Sequence, residues 1–291
     1  MKKRADSVSY DKISIKKEEA DRHDERIYSK KSTERCGRIN EHMEKKKVIL
    51  NSVNGYHISC YDQMFVGQQA VIVCLHGFAG DKNSSVIARL TDYIRSYGIG
   101  TFVFDWPAHG ESDATYQELR VDHCLTDLDT VIRYIRDRFD GPLYCFATSF
   151  GGYLAAAYHM AHPDTFDKMI LRSPALNMGE VFLSLKPAEI RQALEEGQIL
   201  DFGFEQPLLV SMDLYHDFKK HDIFKEKVRS PEHILVIHGD LDEDVPLSDS
   251  EEFCGRNGIA LHVIAGCDHR YKNPGEVEEV LQLTGDFICH S

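Results

Sequence analysis

The chain has 291 residues, enough for one large α/β domain or two small ones, with the 42% hydrophobic and 28% charged content of a globular protein. Residues 1–47 carry a net charge of +5 and the remainder −18, so the body is acidic, which argues against nucleic acid as a partner. No apolar run reaches the length of a membrane span, and the first residues lack the apolar core of a signal peptide.

The eight cysteines are scattered and form no C-x-x-C pair. Cys74 and Cys145 lie inside apolar runs that predict core strands, so we interpret them as small buried hydrophobic side chains. This usage is typical of a reducing compartment and predicts a cytoplasmic protein without a disulfide framework or a zinc site.

Residues 1–46 are charged, almost without apolar periodicity, and predict a disordered arm before a folded domain at 47–291. In that domain two short strands flank Asn54-Gly55, a strong hairpin signal. Further strands are predicted at 70–75, 101–104, 143–146, 169–171, 234–237 and 261–264, and helices at 85–97, 125–139 and 276–288. An antiparallel start followed by repeated βα units predicts an α/β fold with a doubly wound, mostly parallel sheet.

The alternation of strands and helices is interrupted once, between about residues 176 and 228. An insertion of this size between core strands is typical of a lid over a site, and a decorative surface subdomain is the alternative. Phe182, Phe202 and Phe204 give the insertion an apolar face, and they are the candidate substrate-binding residues.

The segment Ala147-Thr148-Ser149-Phe150-Gly151 follows a predicted strand and precedes a predicted helix. Small residues two positions before and after a serine are typical of a nucleophile elbow, a tight turn that holds the hydroxyl above the sheet. The alternative is an ordinary strand-to-helix turn capped by Thr148 or Ser149. The functional interpretation depends on the residues that come directly after the other strands.

Two more candidate residues follow later strands, since Asp242 lies after the strand ending at Ile237 and His269 after the one ending at Ile264. A serine hydroxyl needs an adjacent base, and that base needs a carboxylate to orient it, so we predict a triad of Ser149, His269 and Asp242. Asp240, Asp244 and Asp268 are competing acids that we interpret as loop or turn residues.

The loop His76-Gly77-Phe78 follows the first predicted parallel strand. It can turn a backbone N–H toward the serine, so the N–H groups of Phe78 and Phe150 are predicted to form an oxyanion hole. His109, in the loop after the next strand, is interpreted as a structural histidine.

These motifs, together with Asp105…His109-Gly110-Glu111-Ser112 and Gly239-x-x-Asp242-x-x-Val245-Pro246, resemble the α/β-hydrolase superfamily. Within it the chain resembles the serine-hydrolase branch of bacterial cinnamoyl (feruloyl) esterases and serine aminopeptidase-like hydrolases. The resemblance implies an α/β-hydrolase fold with a small lid, and hydrolysis of a small-molecule carboxylic ester through an acyl-enzyme, with no metal or organic cofactor.

Two alternatives remain open. The Ala-x-Ser elbow also resembles acyltransferase and thioesterase relatives, so a fatty-acyl thioester is the alternative substrate. A non-catalytic hydrolase-like binding protein is the other, and it would keep the pocket but lose members of the triad.

Overall fold

The computed structural model describes residues 45–184, 186–203 and 206–289. The predicted arm, residues 1–46, lies outside this range apart from its last two residues, and the candidate Phe204 lies outside it as well.

The described residues form ten strands and eight α-helices. In chain order the strands are β1 (Lys46–Asn51), β2 (His57–Gln63), β3 (Ala70–Leu75), β4 (Ile99–Phe104), β5 (Leu143–Thr148), β6 (Lys168–Arg172), β7 (Leu200–Asp201), β8 (Leu209–Val210), β9 (Ile234–Gly239) and β10 (Ala260–Ile264). The helices are α1 (Ser85–Arg95), α2 (Val121–Arg136), α3 (Phe150–Ala161), α4 (Met178–Ser184), α5 (Ala188–Glu195), α6 (Met212–Lys220), α7 (Leu247–Asn257) and α8 (Glu276–Cys289).

Eight strands form one sheet in the order β1-β2-β4-β3-β5-β6-β9-β10. Strand β2 pairs antiparallel with β1 and β4, and all other neighbours are parallel. Strands β3, β4 and β9 are buried along their whole length, as expected where helices cover both faces of a parallel sheet. The predicted doubly wound, mostly parallel sheet is therefore confirmed.

The strand order reverses next to β3, because β4 lies on one side of it and β5 on the other. Open α/β sheets bind ligands outside the carboxyl ends of the strands at such a reversal. The loops that begin at His76 and Ser149 follow β3 and β5, so they leave the sheet side by side at this point.

Each face of the sheet has its own apolar core. Helices α2, α3 and α7 pack on one face, around large side chains such as Trp106 and Phe150. Helices α1 and α8 pack on the other, where Ile87, Leu90 and Ile94 of α1 repeat at helical spacing. The transfer of these apolar side chains out of water is the main stabilising contribution to such a fold.

The residues between β6 and β9, here called the inserted segment, contain α4, α5, the small antiparallel pair β7–β8 and α6. Phe182, Leu194, Leu214 and Phe218 of this segment are buried in the core that includes α2 and α3. The segment is thus anchored on the face that carries the helix following Ser149. None of the helices in the described part of the chain is both long enough and apolar enough to cross a membrane.

Candidate active site

Ser149 lies between β5 and α3 with φ +52° and ψ −117°, a strained conformation for a residue with a side chain. The turn is tight: a Cβ atom on Gly151 would lie 2.6 Å from the carbonyl oxygens of Leu75 and His76. A Cβ atom on Gly152 would lie 2.6 Å from Cβ of Pro174. The small residue predicted two positions after the serine, Gly151, is therefore required by the close approach of neighbouring backbone.

The loop after β10 brings His269 to this serine. Its Nε2 lies 3.1 Å from Oγ of Ser149, and its Nδ1 lies 2.7 Å from Oδ2 of Asp242. The ring is only partly exposed, and the Asp242 carboxylate is fully buried. The structure thus brings together the three residues that were predicted as a triad.

The Asp242 carboxylate accepts hydrogen bonds at both oxygens. Oδ1 accepts from the backbone N–H groups of Val245 and Asp244, at 2.8 and 3.0 Å. Oδ2 faces His269 and also Nε2 of His238, at 3.2 Å. Burial acts to raise the pKa of Asp242, but the hydrogen bonds from His238 and His269 outweigh it and hold that pKa well below the usual range. The carboxylate is therefore ionised at neutral pH.

His238 is the last residue but one of β9, and it is not among the candidate residues of the sequence analysis. Its ring is fully buried, with Nε2 also 3.2 Å from the carbonyl oxygen of Val245 and Nδ1 2.8 Å from Oγ of Ser250. Because Nε2 faces two acceptors, it carries the proton and donates it. No sequence signal distinguishes this histidine from a purely structural one, since the contact depends on how the loop from 240 to 245 folds back.

The three competing acids make other contacts. Oδ1 of Asp240 accepts a hydrogen bond from the backbone N–H of Gly266 at 2.5 Å. Asp244 is exposed, and Asp268 forms an ion pair with Lys272 at 2.8 Å. Asp242 is the acid whose carboxylate contacts the His269 ring in the described residues.

The backbone N–H groups of Phe78 and Phe150 have no hydrogen-bond acceptor among the described residues. Phe150 is the first residue of α3, where the unpaired N–H groups of a helix favour negative charge. The Gly77 backbone closely approaches the serine, because a Cβ there would lie 3.3 Å from Cβ of Ser149. Both predicted oxyanion donors are thus free to bind a developing negative charge.

Two buried neutral histidines support the loop that carries Phe78. His76 accepts a hydrogen bond at Nε2 from the Trp106 backbone, 3.2 Å away, and its Nδ1 donates to the Gly77 carbonyl at 2.8 Å. Burial lowers the pKa of His76 to about 4 and that of His109 to about 3, so both rings stay uncharged. His109 packs against the Phe78 ring and does not contact the triad, which fits the structural role expected of it.

The inserted segment covers this loop with aromatic rings. The Phe182 ring centroid lies 5.9 Å from that of Phe78, and Phe202 stacks on Phe182 at 5.4 Å. Phe218 of α6 contacts both Phe182 and Phe150, at 5.2 and 5.9 Å. The apolar surface beside the candidate oxyanion hole is therefore contributed by the inserted segment.

Asp122, Asp217 and His221 bring three potential metal-ligand atoms within 4.8 Å of one another. However, Arg120 pairs with Asp217 at 3.2 Å and Lys220 pairs with Asp122 at 3.0 Å. The charges of both carboxylates are thus already compensated by protein cations. The cluster joins the start of α2 to the end of α6 and shares no residue with the candidate active site.

Comparisons with known proteins agree with this architecture. The family model described as "Serine aminopeptidase, S33" matches residues 67–197. The human palmitoyl-protein thioesterase ABHD10, a mitochondrial protein, is 20% identical over 229 residues, which is 76% of this chain and 74% of that protein.

Two solved structures are similar across most of the chain. A putative hydrolase from Agrobacterium vitis S4 has a TM-score of 0.73 at 17% identity and covers 85% of this chain and 100% of its own. The esterase Est1E from Butyrivibrio proteoclasticus, solved with ferulic acid, has a TM-score of 0.63 at 20% identity, covering 83% and 97%. The chain has the α/β-hydrolase fold, and the family model spans the strand and the turn that carry Ser149.

Proposed function

We propose that this protein is a serine hydrolase that cleaves a carboxylic ester, with Ser149 as nucleophile, His269 as general base and Asp242 as the orienting carboxylate. The observation that carries the proposal is the hydrogen-bond chain, in which the His269 ring lies 3.1 Å from Ser149 Oγ and 2.7 Å from Asp242 Oδ2. These lengths are within the range over which a base can take a proton from a nucleophile.

In the proposed reaction, Oγ of Ser149 attacks the ester carbonyl carbon while Nε2 of His269 takes the hydroxyl proton. Asp242 stabilises the resulting imidazolium and keeps its own negative charge. The N–H groups of Phe78 and Phe150 bind the tetrahedral oxyanion. When the intermediate collapses, the ester C–O bond breaks and His269 gives its proton to the leaving alcohol. Water then attacks the acyl-enzyme with His269 again as base, releasing the acid and free Ser149.

We propose that Phe182 and Phe202 form the wall against which the acyl group binds, since their rings adjoin Phe78. Ligand pockets of this class are mostly apolar, with few polar groups that fix orientation. An aryl acyl group would suit such a wall, and the similar esterase Est1E was solved with ferulic acid. Phe204 is kept as a candidate from the sequence alone.

A fatty-acyl thioester is the second candidate substrate, because the human relative is a palmitoyl-protein thioesterase. The triad chemistry is the same for both substrates, so only a matched pair can separate them. We would compare kcat/KM for an oxygen ester and a thioester with the same acyl chain. If kcat/KM is higher for the thioester, thioesters replace oxygen esters as the proposed substrate class.

The test of the chemistry is labelling with a fluorophosphonate, which reacts with an activated serine whatever the natural substrate is. Ser149→Ala should abolish labelling, while Ser248→Ala, an exposed serine on α7, serves as the matched control and should be labelled like the parent. Labelling that survives in Ser149→Ala would overturn the assignment of the nucleophile. A parent that is not labelled would favour the non-catalytic binding protein.

The role of Asp242 is tested by comparing its substitution with that of Asp244. Asp242→Asn should lower kcat by roughly 10⁴-fold, as the equivalent change does in a triad where the histidine takes the wrong tautomer. Asp244→Asn is the control, because that side chain is exposed and makes no contact with His269. Equal losses in both variants would contradict the assigned role.

A further inference from the structure

Arg172, the last residue of β6, carries a positive charge into the middle of the fold. Only 6% of the residue is exposed. None of the ion pairs among the described residues includes it, although Asp242 and Asp268 are near enough to act on its charge. A buried cation without a paired carboxylate costs free energy, so a site that retains one calls for an explanation.

The contacts of Arg172 join the two catalytic loops. Its backbone carbonyl accepts a hydrogen bond from the N–H of Ser149 at 3.0 Å. From its side chain, Nη1 donates to the carbonyl oxygen of His269 and Nε donates to Oγ1 of Thr148, each at 3.4 Å. One residue therefore holds the serine through its main chain and the base loop through its side chain.

The base loop needs this support because it is strained. Tyr271 has φ +55°, an outlier for a bulky aromatic residue. Its ring lies under the Arg172 guanidinium, 4.4 Å from centroid to carbon, and its hydroxyl lies 3.1 Å from Oγ of Ser173. Both contacts come from the end of β6, so they fix the segment that follows His269.

We propose that Arg172 is a positioning residue for the proposed reaction, on which this inference rests. It holds the base loop against Ser149, so that Nε2 of His269 stays within hydrogen-bonding distance of the serine hydroxyl.

Among the groups around the His269 ring, Arg172 is the cation that is buried. From its own loop, Asp268 is paired with Lys272, Arg270 is exposed, and burial raises the pKa of both Cys267 and Tyr271 to about 12. From the end of β5 come only the neutral Ser149 and Thr148. From the end of β9 come Asp242 and, behind it, His238. Arg172 is thus the buried cation that faces the base loop from β6.

The test is the rate of fluorophosphonate labelling, because labelling needs His269 to be held beside Ser149. Arg172→Gln and Arg172→Lys both lack the planar fork that contacts the base loop, so both should lower the maximal labelling rate by roughly 10-fold while the probe concentration at half-maximal rate stays unchanged. A merely structural residue would lower the melting temperature without this selective loss of rate.

The outcomes separate this inference from the proposed function. A parent that is not labelled overturns both, whereas a labelled parent with the same maximal rate as Arg172→Gln overturns only the role of Arg172. Thermal melting checks that each variant folds, and Arg172→Met is the second neutral variant if Arg172→Gln has no transition. Tyr271→Leu, which keeps Arg172 and removes the stacked ring, should also slow labelling, and an unchanged rate would contradict the positioning role.

Discussion

The turn at Ser149 leaves no room for a Cβ atom at Gly151. Gly151→Ala would place a Cβ atom 2.6 Å from two backbone oxygens of the β3 loop, and backbone in the centre of a sheet cannot move away. We expect Gly151→Ala to lower the free energy of unfolding by about 2 kcal/mol or more and the melting temperature by at least about 5 °C.

The matched control is Gly255→Ala in α7, where nothing lies within 4 Å of the added atom. That change should stabilise the protein by about 0.5 to 1 kcal/mol, because alanine has the higher helix propensity. Thermal melting of both variants checks the pair. Equal melting temperatures for the two would contradict the close packing at the turn.

His238 provides a second prediction at the scale of one side chain. His238→Leu removes the donor to Oδ2 of Asp242, so we expect kcat to fall by roughly 10-fold or more with KM little changed. His238→Gln keeps an N–H near the same position and should recover most of the loss. Both variants have to melt like the parent for the comparison to hold, and a loss confined to KM would argue against this role.

At this scale the sequence was informative about Ser149, Asp242 and His269, because each follows an apolar strand in a distinctive motif. It was uninformative about His238 and Arg172. Their contacts join residues from different strands, and they arise only once β6, β9 and β10 lie side by side. Spacing along the chain carries no signal for such pairs.

At the scale of secondary structure, most strands could be predicted because β3 and the first four residues of β5 and of β9 are uninterrupted apolar runs. The hairpin at Asn54-Gly55 was also identified, and Gly55 has the φ of +94° that such a turn requires. Helix α4, with only 7 residues, was missed, since two turns are too short to establish a period. Helix α2 begins at Val121, four residues earlier than predicted. Val121 is buried, but no apolar repeat precedes it, so nothing in the sequence indicated this earlier start.

The inserted segment gives a prediction about specificity. Phe202→Ala would open space beside Phe182 without altering the triad, so we expect a roughly 10-fold change in the ratio of kcat/KM for long-chain over short-chain p-nitrophenyl esters. The rate of fluorophosphonate labelling should change much less.

Leu209→Ala, an exposed side chain on β8 of the same segment, is the control and should keep the parent profile. If Phe202→Ala also keeps it, the segment does not shape the acyl site.

For the molecule as a whole, the described pKa shifts predict how stability depends on pH. Asp127 of α2 is fully buried and accepts hydrogen bonds from Ser52 and Tyr56 at 2.5 and 2.8 Å, yet burial raises its pKa to about 6. The unfolded value is about 3.9, so the folded state binds the extra proton between about pH 4 and pH 6. The contribution of Asp127 to stability is therefore present at pH 4 and is lost as the pH rises through 6.

Asp127→Asn should remove that dependence. The melting temperature of the variant minus that of the parent should therefore increase by about 2 to 6 °C between pH 4.5 and pH 7. Asp92→Asn, an exposed side chain on α1, should follow the parent at both pH values. A pH-independent difference for Asp127→Asn would mean that this carboxyl is ionised in the fold.

The contact between Phe182 and Phe78 links the proposed acyl specificity to the binding of the oxyanion. One ring belongs to the inserted segment, and the other belongs to the residue whose backbone N–H is a candidate oxyanion donor. Exchanging the inserted segment with that of a relative would therefore change what packs on Phe78, and with it the position of that N–H. Grafting a new segment onto this scaffold should require the donor's residue at position 78 to be transferred with it.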